Sequence, residues 1–272
     1  MTKASAFEHI KVDRLPDLPA VARVTLSRPQ VGNAMSDQTL KELAGAFRVL
    51  SADAQLRAVV VVGEGKHFCA GADIDWMRKA GQLPPAEGKQ DARLLVDMLT
   101  AVERCSVPVI VAAHGAVYGG GLGLLAACDI AVVADDARFC FSECRLGIMP
   151  AVISCYVLPK IGVAQARRYY VTAEVFGAAQ AKAMGLAHES CPADALQARA
   201  RDLARQILLN GPQAVRAAKD LILRFDGLSS EQRVEAVLDT LVRLRSSPEG
   251  QEGLTAFFEK RPASWAKDVP KA

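Results

Sequence analysis

Two stretches of the chain, AVVVVG (Ala58–Gly63) and VPVIVAAHG (Val107–Gly115), are apolar at almost every position and rich in β-branched residues. A strand with one face in water alternates polar and apolar residues. These do not, so each predicts a strand buried on both faces. Around them the pattern changes period. Ser36 is placed to cap a helix that presents Leu40, Leu43, Phe47 and Leu50 on one side. DARLLVDMLTAVERC does the same with Leu94, Leu95, Met98, Leu99 and Val102, after a loop expected at GQLPPAEGK (Gly81–Lys89). VARVTLSRP (Val21–Pro29) alternates and predicts a half-buried strand. DIAVVADD follows as another strand, and ARFCFSE as a short one through Phe139 and Phe141. Strands alternating with helices argue for an α/β core. Towards the C-terminus no strand is convincing. Pro212 can open a helix, Ser229 with Gln232 forms a capping box, and Ser247-Pro248 opens another helix. The expected division is therefore a core over residues 1–195 and a helical C-terminal extension over 196–272, suited to packing between subunits.

With 51% hydrophobic residues the chain can bury a sizeable core, and 33 basic against 30 acidic residues leave a net charge of only +3. That balance argues against nucleic acid or a membrane surface as partner. No apolar run reaches the length of a membrane span, and the start, MTKASAFEHIKVDRLPDLPA, lacks the apolar centre of a signal peptide. The seven cysteines are odd in number and have no CxxC spacing, as expected of small buried hydrophobes in a reducing, cytoplasmic compartment. The four histidines lack ligand spacing, so no metal site is expected.

VYGGGLGLLAACDI (Val117–Ile130) runs three glycines into a helix and places a fourth, Gly123, inside it. A helix start has unpaired N–H groups and a positive dipole end, and glycines let something approach that backbone closely. Tight packing against a neighbouring strand explains the same residues equally well. A second segment, GKHFCAGADIDWM (Gly65–Met77), also follows a buried strand and also carries small residues. Together the two could aim N–H groups at one carbonyl oxygen and stabilise negative charge on it.

Four stretches, LSRPQVGNAMS, GKHFCAGADIDWM, GAVYGGGLGLLAACDIAVVADDARFCFSECRLGIMP and GLTAFFEKRPASW, resemble the crotonase, or enoyl-CoA hydratase/isomerase, superfamily over nearly the whole chain. The resemblance implies a spiral of ββα turns with helical C-terminal packing, trimers or dimers of trimers, and an acyl-CoA thioester as substrate. No cofactor is implied beyond the coenzyme A of the substrate. It maps the two donors to the thioester oxygen onto the N–H groups of Ala70 and Gly120. It sets Gly71, Ala72, Asp73 and Gly119 beside the thioester, and Trp76 beside the acyl pocket. Arg28 is expected near the CoA nucleotide, with Phe257 and Lys260 reaching it from a neighbouring subunit. Of the two glutamates that hydratases use, one maps to Glu143, and the other falls on Gly123, which has no side chain to transfer protons.

GGGLGL, ADDARFCFSE and PAVIS together resemble a methylglutaconyl-CoA hydratase-like subgroup. Hydration of 3-methylglutaconyl-CoA or a related branched, carboxylated 2-enoyl-CoA is therefore expected, in leucine or related branched-acid catabolism. A glycine at 123 spares such a substrate a like charge and is expected to leave room for a water. A Δ3,Δ2-enoyl-CoA isomerase working with a single glutamate is the alternative, and a non-catalytic acyl-CoA-binding homologue a further one. Arg145 is either a contact for a substrate carboxylate or a surface ion pair.

Overall fold

A computed structural model of the chain describes residues 7–225 and 227–270. Its core is built from β1 (Ile10–Leu15), β2 (Leu18–Leu26), α1 (Asp37–Ala52), β3 (Ala58–Gly63), α2 (Ile74–Ala80), α3 (Pro85–Glu103), β4 (Val109–Ala113), β5 (Ala116–Tyr118), α4 (Gly120–Ala127), β6 (Ile130–Ala134) and β7 (Arg138–Cys140). There follow α5 (Ser154–Thr172), β8 (Phe176–Gly177), α6 (Ala178–Ala183), β9 (Glu189–Cys191), α7 (Leu196–Leu208), α8 (Pro212–Phe225), α9 (Ser230–Ser246) and α10 (Pro248–Phe258).

The large sheet has the order β1-β2-β3-β4-β6-β9, parallel throughout except for the antiparallel β1–β2 pair. The continuous apolar runs become β3 and β4, which sit inside this sheet and bury nearly every side chain. A smaller sheet, β5-β7-β8, stands apart from it. Isolated bridges continue that sheet outward, Cys69 pairing with Val117 and Ala72 with Met35. Each turn of the chain thus adds a strand to the large sheet, a short extended piece to the small one, and then a helix. That repetition is the expected ββα spiral.

Helix α4 is apolar on every side, and Gly121 to Ala127 are all buried in it, as a helix without a polar face must be. Helix α1 carries the expected cap: Ser36 Oγ accepts from Thr39 N–H. The loop expected over Gly81–Lys89 is shorter than that, because Pro85 takes the first position of α3, where its missing N–H has no cost. The strand expected over Ala137–Glu143 stops at Cys140, and Ser142–Leu146 form a 3-10 turn.

Helix α7 buries Leu196, Ala200, Ala204 and Leu208 and packs against β3, β4 and β6. In packing terms the core therefore reaches Leu208, one helix beyond the expected boundary. Helices α8 to α10 form the extension. It is tied down by Lys219, whose buried ammonium meets Asp129 Oδ2 at 2.6 Å and Val107 O at 3.1 Å. Among the described residues no helix is long and apolar enough to cross a membrane.

Candidate active site

The small sheet brings two successive turns of the spiral edge to edge. Cys69 N–H donates to Ala116 O at 3.1 Å, and Tyr118 N–H to Cys69 O at 2.9 Å. On its other side the segment after Cys69 pairs with the chain before α1: Ala70 N–H donates to Gly32 O, Met35 N–H to Gly71 O and Asp73 N–H to Met35 O, each at 2.9 Å. In a regular strand, N–H groups two residues apart point the same way. Here residues 70 and 73 both face the Gly32–Met35 segment, so the alternation breaks between them. The break falls at Gly71, whose φ of +116° suits only glycine. It turns the Ala72 N–H away from its neighbour strand, and among the described residues that group has no acceptor.

This corrects the expected pair of donors. Ala70 lines the site, but its N–H is already committed to Gly32 O. The free donor on this segment is Ala72.

The second donor comes from the start of α4. Gly119 lies in the left-handed region (φ +49°), and its N–H is bound to Cys140 O at 3.2 Å. Gly120 N–H, the first of the helix, meets no acceptor among the described residues. It carries the positive end of the helix dipole. The other glycines here serve packing. A Cβ on Gly121 would lie 2.8 Å from Cys69 Cβ. At Gly123 it would lie 2.5 Å from Ile153 Cγ2 and 3.3 Å from Leu99 Cδ1. The space beside Gly123 is therefore filled by Ile153, not left open for water, and the expected room there does not exist.

Glu143 stands in the 3-10 turn of Ser142–Leu146. Its Oε1 would lie 3.4 Å from a Cβ on Gly119, so it sits against the start of α4. Its Oε2 is buried and takes no hydrogen bond among the described residues. Burial pushes this carboxyl above its ordinary range, opposed only by a hydrogen bond to its own backbone.

Glu143, Ala72, Gly119 and Gly120 share one cavity of about 440 Å³, within the usual range for a small-molecule site. Ile74, Trp76, Met77, Leu95, Met149 and Ile153 make most of its wall apolar. Among the described residues its only charged lining residues are Glu143 and Asp91. Asp91 accepts the Trp76 indole N–H at 2.9 Å and so ties α2 to α3 across the cavity.

Of the expected site residues, the structure brings together Glu143, Ala70, Gly71, Ala72, Trp76, Gly119 and Gly120. Asp73 stands behind them as the cap of α2, its carboxylate accepting from Asp75 N–H and Trp76 N–H. Burial pushes this carboxyl up, but the Trp76 N–H, Arg28 and the Asp75 N–H outweigh that and hold it below its ordinary range. Arg28 does not line the cavity; it pairs with Asp73 at 3.0 Å. Phe257 and Lys260 are exposed at the end of α10 and do not join the cavity within one chain. Arg145 donates to Ala173 O at 2.5 Å and is likewise not part of the lining. Asp91 and Ile153 were not legible as site residues. Each belongs to an ordinary helical or turn pattern, and only the fold carries it to the cavity.

The chain matches the enoyl-CoA hydratase/isomerase family model over residues 18–268. It is 31% identical to a short-chain-enoyl-CoA hydratase of Clostridium acetobutylicum over 243 residues, covering 89% of this chain and 92% of the relative. It is 31% identical over 268 residues to the enoyl-CoA isomerase/hydratase fer4 of Mycosarcoma maydis, covering 95% and 97%. The crystal structure of an enoyl-CoA hydratase from Shewanella pealeana superposes with a TM-score of 0.89 at 34% identity, covering 95% of this chain and 96% of that one.

Proposed function

The chain belongs to the enoyl-CoA hydratase/isomerase family, and we propose that it hydrates a branched 2-enoyl-CoA, or dehydrates the product, with Glu143 as its single acid–base group. One observation carries this reading: a buried carboxylate oxygen without a partner among the described residues shares an apolar cavity with two backbone N–H groups that have no other acceptor among them. In the forward direction Glu143 takes a proton from water as the water oxygen bonds to C3. The C2–C3 π electrons move onto the thioester oxygen, where Ala72 N–H and Gly120 N–H hold the enolate. The protonated Glu143 then delivers its proton to C2. The proton lost by water is the one gained by carbon, so one carboxylate balances the reaction and Gly123 need contribute nothing. No cofactor enters these steps.

The acyl group is read from two sources. The motifs around Gly123 and Pro150 resemble those of methylglutaconyl-CoA hydratases. The cavity wall of Ile74, Trp76, Leu95 and Ile153 suits a branched chain, while no Lys or Arg among the described residues lines it. A carboxylated acyl group such as 3-methylglutaconyl would have to find its cation on a neighbouring protomer.

Isomerisation is the second reading, favoured by Ile153 filling the place of a second carboxylate, since moving a double bond needs one base and no water. The test is turnover of 3-methylcrotonyl-CoA, 3-methylglutaconyl-CoA and a 3-enoyl-CoA in ¹⁸O-labelled water. Label in the product, lost in Glu143→Gln, is the expected result. Conversion of the 3-enoyl-CoA alone, without label, would replace hydration by isomerisation.

A further inference from the structure

Arg28 is engaged on both terminal nitrogens. One terminal nitrogen bonds Ala34 O at 2.8 Å, and the other lies 3.0 Å from Asp73 Oδ2, with the two side chains only 16% and 15% exposed. Its backbone is held too, donating to Asn33 Oδ1 at 2.8 Å. Asn33 in turn donates to Glu64 O and His67 O, which fastens the turn before α1 to the loop after β3. Asp73, the partner of Arg28, is the residue that follows Ala72.

The peptide between Gly71 and Ala72 is fixed at its carbonyl, which accepts from Met35 N–H at 2.9 Å and from the Cys69 thiol at 3.6 Å, and the Ala72 N–H shares its plane. It is held from its two ends, by Met35 N–H on Gly71 O and by the bonds of Asp73 to Met35 O and Arg28. We infer that Arg28 is a positioning residue that, through its ion pair with Asp73, fixes the direction in which the Ala72 N–H meets the thioester oxygen. This rests on the reading of Ala72 and Gly120 as the oxyanion donors. A donor displaced by a fraction of an ångström loses transition-state stabilisation while leaving the remote grip on coenzyme A intact.

The test uses Arg28→Met, with kcat and KM measured on the preferred enoyl-CoA. It adds the absorption of bound 4-aminocinnamoyl-CoA, which moves to longer wavelength as its thioester carbonyl is polarised. Expected are a kcat lower by about 10- to 100-fold, a KM within about twofold, and a diminished red shift. Arg28→Lys, which keeps a charge in reach of Asp73, should restore part of both kcat and shift. If Arg28→Met fails to fold, Asp73→Asn keeps the helix cap, removes the ion pair, and should show the same loss. A KM raised about tenfold with kcat and red shift intact would make Arg28 a coenzyme A contact and overturn the inference. A full shift and full kcat in Asp73→Asn would overturn it as well. Absence of any red shift in the unmodified protein would instead remove the oxyanion reading itself, and this inference with it.

Discussion

Substituting Gly123 by alanine separates two accounts of that position. In a helix with open space beside it, Gly→Ala is stabilising by about 1 kcal/mol. Here the new methyl would stand 2.5 Å from Ile153 Cγ2, 3.1 Å from Ile153 Cβ and 3.3 Å from Leu99 Cδ1. Carbon atoms settle at about 3.5–4.0 Å, so Ile153 must retreat by roughly 1 Å. It is β-branched, stiff at χ1 and 2% exposed, and Leu99 is fully buried, so neither yields easily. Overpacking of this kind costs about 1–3 kcal/mol, and the upper half of that range outweighs the helix gain. Gly123→Ala should therefore destabilise by about 1–2 kcal/mol in equilibrium denaturant unfolding. Ile153→Ala alone should cost about 2–5 kcal/mol through the cavity it opens. In that background the methyl at 123 fills space instead of clashing, so the second step should turn favourable, with a coupling of about 2–3 kcal/mol. A stabilising Gly123→Ala, or single effects that add within about 0.5 kcal/mol, would refute the claim that Ile153 occupies this site.

Glu143→Gln should lower kcat by about 10²–10⁴-fold. Burial raises the carboxyl's pKa, so the acid limb of kcat/KM should lie above the ordinary glutamate value of about 4.3. The same shift means that the fold favours the protonated group and loses that preference as pH rises, so the inactive Gln variant should melt higher at neutral pH than at pH 4 relative to the parent. Asp91→Ala, by freeing the Trp76 indole from its 2.9 Å bond, should raise kcat/KM for longer acyl chains relative to the branched short one; an unchanged ratio would show that Trp76 needs no anchor. Lys219→Met leaves Asp129 without its ammonium and should cost about 3 kcal/mol, read by denaturant unfolding, with less loss when Asp129 is also replaced. Burial pushes the thiols of Cys69 and Cys128 up to about 11 and about 12, so brief maleimide treatment of the native protein should mark Cys144 and Cys155 and spare those two, as mass spectrometry would show.

The layers of the fold were legible where hydrophobic pattern decides them. AVVVVG and VPVIVAAHG are buried strands because a run without polar residues has nowhere else to go. The caps at Ser36 and Ser229 stand where hydroxyl chemistry puts them. Helix α5 was not legible, because Pro159 and Gly162 interrupt it and the chain kinks there instead of ending. The donor at Ala72 was hidden for another reason. Sequence shows that a glycine stands at 71 but not the sign of its φ, and the positive φ breaks the strand alternation that would have set the N–H groups of residues 70 and 72 on one side. Arg28 shows the same limit. The resemblance places it near the CoA nucleotide, and only the fold reveals the Asp73 carboxylate that it pairs with.

The chain departs from the two-glutamate pattern in two places that read as separate facts in the sequence, Gly123 in GGGLGL and Ile153 in PAVIS. In the structure they are one event. Ile153 enters the space that a side chain at 123 would need, so position 123 cannot take one while Ile153 stays. A glutamate at 123 facing Ile153 would be both overpacked and buried without a partner, two costs that add. Gly123→Glu should accordingly gain no hydration activity and lose stability. In an Ile153→Ala background, where the space is open, the same glutamate can reach the cavity that Ile153 lines. If hydration of 3-methylglutaconyl-CoA rose with Gly123→Glu alone, like-charge repulsion and steric exclusion would both be wrong as reasons for the glycine. If it rose only in the double variant, exclusion by Ile153 would be the sole reason.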